Sequence, residues 1–129
     1  MTQRLSGFKV LVGESNQVNA MVARKILQRL GIDVAVVSSG EALRQACTED
    51  SYDMIWVDQY LSDMSGHEAV ALIRGDEQEA SAEPVVILGI TTTRSAGVER
   101  NCMAAGMDDI LVKPLNLSQV AETLQRHLV

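Results

Sequence analysis

The sequence predicts a single α/β domain, a doubly wound five-stranded parallel sheet with helices on both faces. Three observations predict it. Short β-branched runs alternate with amphipathic stretches five times over. One of these runs, Met54-Ile55-Trp56-Val57, is apolar throughout, as a strand covered on both faces must be. The chain has 129 residues, enough for one sizeable core but not two.

The elements follow in order. The first strand is Phe8 to Val12, ending at Gly13. A helix from about Gln17 to Leu30 is capped by Asn16 and stopped by Gly31, with Val18, Val22, Ile26 and Leu30 at helical spacing as its inward stripe. Asp33 to Val37 is the second strand. Gly40 to about Glu49 is the second helix, with Ala42, Leu43 and Ala46 inward. The third strand stops abruptly at Asp58. A helix from about Gly66 to Arg74 follows, then a polar loop, 75–83. Pro84 opens the fourth strand, Val85 to Ile90. The fourth helix covers about Ser95 to Ala105, although Gly97 weakens its start. Asp109 to Val112 is a short fifth strand. Asn116 caps a last helix whose stripe is Leu117, Val120, Ala121, Leu124 and Leu128. Residues 1–129 thus form one domain ordered over about 8–128, with a frayed end in the first seven residues.

Composition excludes several classes of function. Net charge is −6 and no Lys/Arg run interrupts the acidic balance, so the displacement of phosphate counterions by clustered cations, which nucleic-acid binding needs, has no basis. No apolar stretch spans a bilayer. Met1-Thr2-Gln3-Arg4 lacks the apolar core of a secretion signal, and a cytoplasmic location without membrane contact is expected. Cys47 and Cys102 sit in different predicted helices, outside any CxxC, and read as small core residues. His67 and His127 read as solvated helix residues, and Trp56 as core.

In an open parallel sheet the ligand site lies beyond the carboxyl ends of the strands. There the sequence offers Glu14-Ser15, Ser38-Ser39, Asp58-Gln59-Tyr60, Thr91-Thr92 and Lys113-Pro114. A carboxylate closing a buried strand needs a partner, so Asp58 requires Lys113, a cation, or both. Such a carboxylate can attack a phosphoryl group, with lysine and metal neutralising the phosphoryl oxygens and the Thr91 hydroxyl hydrogen-bonding one of them. Taken singly, Asp58 also reads as a turn cap, Lys113 as a surface lysine and Thr91 as an ordinary strand residue. Their convergence on one sheet edge favours the site.

The segments around these residues resemble the receiver domain of two-component signalling, nearest in pattern to receivers attached to hybrid sensor histidine kinases. Lys9-Val10-Leu11-Val12-Gly13-Glu14-Ser15-Asn16 resembles the family's K-V-L-V-V-E-D-N, and Tyr52-Asp53-Met54-Ile55-Trp56-Val57-Asp58 resembles Y-D-L-I-L-M-D. The stretch from Asn101 to Pro114 resembles C-L-A-A-G-M-D-D-Y-L-x-K-P. The resemblance implies a flavodoxin-like strand order of 2-1-3-4-5 and a cis bond before Pro114. It makes Asp58 the phospho-acceptor, with Lys113 and Thr91 as its partners. It implies Mg²⁺ held by Glu14, Asp58 and the backbone carbonyl of Tyr60. A histidine kinase or histidine phosphotransfer domain is the implied partner, and the helix 4–strand 5–helix 5 face is the implied contact surface, including for a homodimer.

The chain departs from that pattern. Ser15 stands where an aspartate would bind magnesium directly, so two carboxylates remain instead of three, and metal binding is expected to be weak or absent. Ser62 replaces a proline, Ile110 an aromatic switch residue, and Thr92 a small residue. Two functions fit: a receiver phosphorylated on Asp58, or a pseudo-receiver acting as an interaction module without phosphorylation. A flavin- or nucleotide-binding enzyme lacks support, because Gly13 stands alone where a glycine-rich loop would be required.

Overall fold

A computed structural model describes residues 5–129. The secretion-signal reading of Met1 to Arg4 lies outside the described residues. Strands and helices alternate: β1 (Lys9–Gly13), α1 (Gln17–Arg29), β2 (Asp33–Val37), α2 (Gly40–Glu49), β3 (Met54–Asp58), α3 (Gly66–Glu79), β4 (Val86–Thr91), α4 (Ala96–Ala105), β5 (Asp109–Val112) and α5 (Leu117–Leu128). All five strands are parallel, in the order β2-β1-β3-β4-β5. The expected doubly wound sheet is therefore present.

Every helix starts at a side chain that accepts a backbone N–H from three residues on: Asn16, Ser39, Ser65, Ser95 and Asn116. Each cap satisfies a donor the helix cannot and contributes about 1 kcal/mol. Alternation along the strands divides the core between the sheet's two faces. Val10, Val12, Met54, Trp56, Leu88 and Leu111 pack with α1 and α5, while Leu11, Ile55, Val57, Ile87 and Ile110 pack with α2, α3 and α4. This layering presses β1, β3 and β4 together and leaves their carboxyl ends as the upper edge of the sheet.

Four local expectations are corrected. The inward face of α1 is Ala23, Leu27 and the capping Leu30, whereas Val18 is 68% and Val22 40% exposed. Helical spacing fits both stripes, and the one holding Ala23 and Leu27 faces the sheet. Leu5, expected in a frayed end, is fully buried in the α1–α5 side of the core. Leu117 is exposed, so the buried stripe of α5 starts at Val120. Lastly, α3 continues through Gly75 to Glu79. A glycine inside a helix costs about 1 kcal/mol, and tertiary contacts outweigh it here. Arg44 grips Asp76 with two hydrogen bonds, at 2.8 and 3.0 Å, and Glu77 accepts the Val85 N–H at 2.8 Å.

Candidate functional site

Five strand ends form a crevice on the upper edge. Asp58 ends β3 with only 6% of its surface exposed, because four apolar residues before it draw the strand into the core. Lys113 follows β5, and its backbone N–H donates to the Thr91 carbonyl at 2.8 Å, which fixes its position beside the end of β4. The Lys113–Pro114 bond is cis, as expected. The Lys113 ammonium reaches Asp58 Oδ1 at 2.6 Å and Glu14 Oε1 at 3.4 Å. Glu14 is 4% exposed at the end of β1. Asp58, Lys113 and Glu14 therefore converge.

The remaining oxygens of these carboxylates also have donors. Asp58 Oδ2 accepts the Tyr60 N–H at 3.2 Å, and Glu14 Oε2 accepts the Asn16 N–H at 3.1 Å. Ser15 donates its hydroxyl to the Tyr60 carbonyl at 3.0 Å, across the gap between the β1 and β3 ends. Thr91 is 1% exposed at the end of β4, and its hydroxyl donates to the Thr93 carbonyl at 2.8 Å rather than toward Asp58. Gly66 opens α3 directly beneath Asp58; a Cβ there would collide with the Asp58 carbonyl, so only glycine lets the helix start so close.

Electrostatics follow from two acids sharing one base. Burial pushes the Glu14 carboxyl above its ordinary range; the Asn16 amide opposes that shift, and Asp58 adds to it. Burial would lower the Lys113 ammonium, but the hydrogen bond and charge of Asp58, together with Glu14, outweigh it and raise the lysine. Lys113 is charged throughout the physiological range. Glu14, Asp58 and Lys113 thus set two carboxyl groups against one ammonium in a low-dielectric crevice.

Several residues behave differently from the sequence reading. His127 is not simply solvated: its Nε2 lies 2.9 Å from Asp109 Oδ2, which also accepts from Arg126 at 2.8 Å. Asp109 is held below the usual carboxylate range; burial works against this, and the hydrogen bonds from His127, Arg126 and the Ile110 amide prevail. Cys102 is buried as expected, while Cys47 is half-buried. Ile110 is 1% exposed and part of the core. Its carbonyl accepts from Arg94 at 3.1 Å, and Arg94 also pairs with Glu99 at 2.8 Å. The Gln119 amide bonds both the N–H and the carbonyl of Val112. The outward backbone groups of Ile110 and Val112 are thus covered by side chains, which blocks strand addition at this edge. Neither Arg94 nor Gln119 carries a motif that would have announced this role.

Comparison with known proteins gives a consistent result. The family model of the response regulator receiver domain matches residues 10–125. Hybrid signal transduction histidine kinase L of Dictyostelium discoideum is 33% identical over 122 residues, which cover 92% of this chain and 7% of that protein. The chain likewise spans 15% of probable histidine kinase 1 of Oryza sativa subsp. indica, so it corresponds to a small part of these curated relatives. The receiver domain of sensor histidine kinase PA1611 from Pseudomonas aeruginosa PAO1, crystallised with a magnesium ion coordinated in its active-site cleft, is 32% identical with a TM-score of 0.83, over 95% of this chain and 98% of that one. The receiver domain of the Saccharomyces cerevisiae response regulator Ssk1, crystallised with the histidine phosphotransfer protein Ypd1, has a TM-score of 0.87 at 25% identity, over 93% and 88% of the two chains.

Proposed function

The chain belongs to the response regulator receiver domain family, and from that premise we propose that it accepts a phosphoryl group from a phosphohistidine onto Asp58. The observation that carries this reading is the 2.6 Å contact between the Lys113 ammonium and a buried Asp58 carboxylate oxygen. In the step itself an Asp58 oxygen bonds to phosphorus as the phosphorus–nitrogen bond breaks, and its electron pair leaves with the imidazole. Lys113 offsets the charge of the phosphoryl oxygens, and positioning and charge stabilisation suffice for most of the rate. Thr91 exchanges its bond to the Thr93 carbonyl for one to a phosphoryl oxygen.

The resemblance brings Mg²⁺ with it, at Glu14, Asp58 and the Tyr60 carbonyl. The residues present do not fit that ion. Among the described residues no group of three acidic, histidine or cysteine side chains is placed to hold a metal, and the Tyr60 carbonyl is occupied by the Ser15 hydroxyl. Mg²⁺ demands near-octahedral oxygen donors and sheds its water reluctantly.

The donor is a histidine kinase or a histidine phosphotransfer domain, as in the Ssk1–Ypd1 complex. Val18, Met21 and Val22 stand exposed on α1, beside a 290 Å³ hollow lined by Glu14, Ile90, Lys113 and Leu115, and provide an apolar landing for a histidine-bearing helix. For a second copy, the α4–β5–α5 surface offers helix faces, since the β5 edge is covered. Among the described residues no helix is long and apolar enough to cross a membrane.

Incubation with acetyl phosphate tests the proposal. Intact mass is expected to show one added phosphoryl group, lost completely in Asp58→Asn. No label on the wild type, with or without MgCl₂, would leave the phosphorylation-independent module, which the Ser15–Tyr60 bond favours, as the function.

A further inference from the structure

We infer that Ser15 is a positioning residue that ties the end of β1 to the loop after β3, making through one hydrogen bond the link between them that a bridging dication would otherwise make. The evidence is the state of the oxygens that the resemblance assigns to such an ion. Glu14 Oε1 and Asp58 Oδ1 are taken by the Lys113 ammonium, Glu14 Oε2 by the Asn16 N–H, and Asp58 Oδ2 by the Tyr60 N–H. The Tyr60 carbonyl is taken by Ser15. No buried side-chain nitrogen or oxygen among the described residues lacks a partner, those of Glu14 and Asp58 included.

Charge leads to the same conclusion. Two carboxylates and one ammonium sum to −1, and a dication would turn that into +1 in a mostly buried space. An aspartate at position 15 would make the sum −2, which a dication neutralises. Exchanging a carboxylate for a hydroxyl removes the attraction for the ion and adds a proton donor that the carbonyl can use. Ser15 belongs to the loop after β1, whereas Tyr60 belongs to the loop after β3. Their bond is a tie between the two strand ends, independent of any cation.

The tie is tested without reference to phosphoryl transfer, so its failure and that of the Asp58 reading are separate results. Amide NMR of the whole chain, with MgCl₂ as the only addition, compares wild type with Ser15→Ala, Ser15→Thr and Ser15→Asp. Wild-type signals of Ser15, Tyr60 and Lys113 are expected to stay in place through millimolar MgCl₂. Ser15→Ala should speed amide exchange at Tyr60, Leu61 and Gly66 by up to about tenfold, the scale of one net hydrogen bond. Ser15→Thr, which keeps the hydroxyl, should restore wild-type exchange and so exclude a general folding defect. Ser15→Asp should gain saturable Mg²⁺ shifts and a thermal midpoint that rises with MgCl₂. Saturable shifts in the wild type, unchanged exchange in Ser15→Ala, or a Ser15→Asp variant that still ignores Mg²⁺ would each overturn the inference.

Discussion

The two edges of the sheet both carry a hollow rimmed with carboxylates, and they treat charge in opposite ways. At the amino ends of the strands a cavity of about 440 Å³ is lined by Tyr52, Ile55, Ile73 and Val85. Three of its four acids are matched, Asp50 by Lys9 at 2.7 Å, Asp76 by Arg44 at 2.8 Å and Glu77 by Arg74 at 2.8 Å, while Glu83 is exposed to water. At the carboxyl ends Glu14 and Asp58 share the single ammonium of Lys113. The lower hollow is larger, yet it holds nothing reactive. Its thiol, Cys47, is pushed up to about 11, mainly by burial and then by Glu77 and Asp76, and stays protonated near neutrality. Size does not mark the site; an unbalanced, buried charge does.

The strongest way to break this comparison is to remove the shared base. Lys113→Met keeps much of the stem's volume and leaves two buried carboxylates facing each other. Breaking a buried pair on one side costs about 3–5 kcal/mol, and because Lys113 is 22% exposed the lower end, about 3 kcal/mol, is expected. Denaturant melts at neutral pH measure it. The loss should shrink on acidification, as the stranded carboxyls take up protons. At the other end of the scale, the raised Lys113 pKa means that its contribution is complete below the ordinary 10.5 and fades as pH climbs through the folded value. Wild type should therefore converge on Lys113→Met in strongly alkaline solution. A loss that does not vary with pH would show that Lys113 acts through packing alone.

The same contrast explains what was legible in the sequence. A buried parallel strand has to be apolar along its length, so the run before Asp58 announced both β3 and an exceptional carboxylate at its end. Lys113, Glu14 and Thr91 followed from the rule that strand ends gather on one edge. The Ser15 substitution was visible too, but its consequence was not: a hydroxyl's chosen acceptor depends on where the β3–α3 loop lies, and residue type does not encode that. The α3 extension stayed hidden for a related reason. Gly75 and its polar neighbours carry a local signal for loop, and the opposing forces come from Arg44 and Val85, 31 residues before and 10 after that glycine. The outward turn of Val18 and Val22 was likewise invisible, because helical spacing alone does not say which stripe, theirs or that of Ala23 and Leu27, faces the sheet.

A smaller effect sharpens the view that Glu14 is held in the crevice at some expense. Its folded pKa is raised above the ordinary 4.5, so the folded state binds a proton more tightly than the unfolded state does. That contribution is present below 4.5 and is lost as pH rises through the folded value. Glu14→Gln, which never ionises and can still accept the Asn16 N–H, should match the acidic form of wild type at low pH. It should become the more stable of the two as pH climbs toward neutrality. Thermal midpoints across that range give the answer. A variant less stable than wild type at neutral pH would mean that the 3.4 Å contact with Lys113 outweighs the burial of the charge.

The smallest expected effect belongs to the lower hollow, and its smallness is the point. Arg44 and Asp76 form the best ion-pair geometry there, with two hydrogen bonds, yet both side chains are about a third exposed. Water screens such a pair, and ordering two long side chains offsets most of its attraction. The Asp76 carboxyl is held below its usual range, chiefly by Arg44, so whatever it contributes is present at neutral pH and lost as pH falls through the folded value. Arg44→Met should leave the neutral-pH melt almost where it was. Its measurable trace should be local, with amide exchange quickening over Gly75 to Glu79, where the pair holds the last turn and a half of α3 against its glycine. If Arg44→Met instead destabilised the chain as much as Lys113→Met, the exposure of the Arg44–Asp76 pair would not account for its small contribution. The contrast between the two edges would then have to rest on something other than charge.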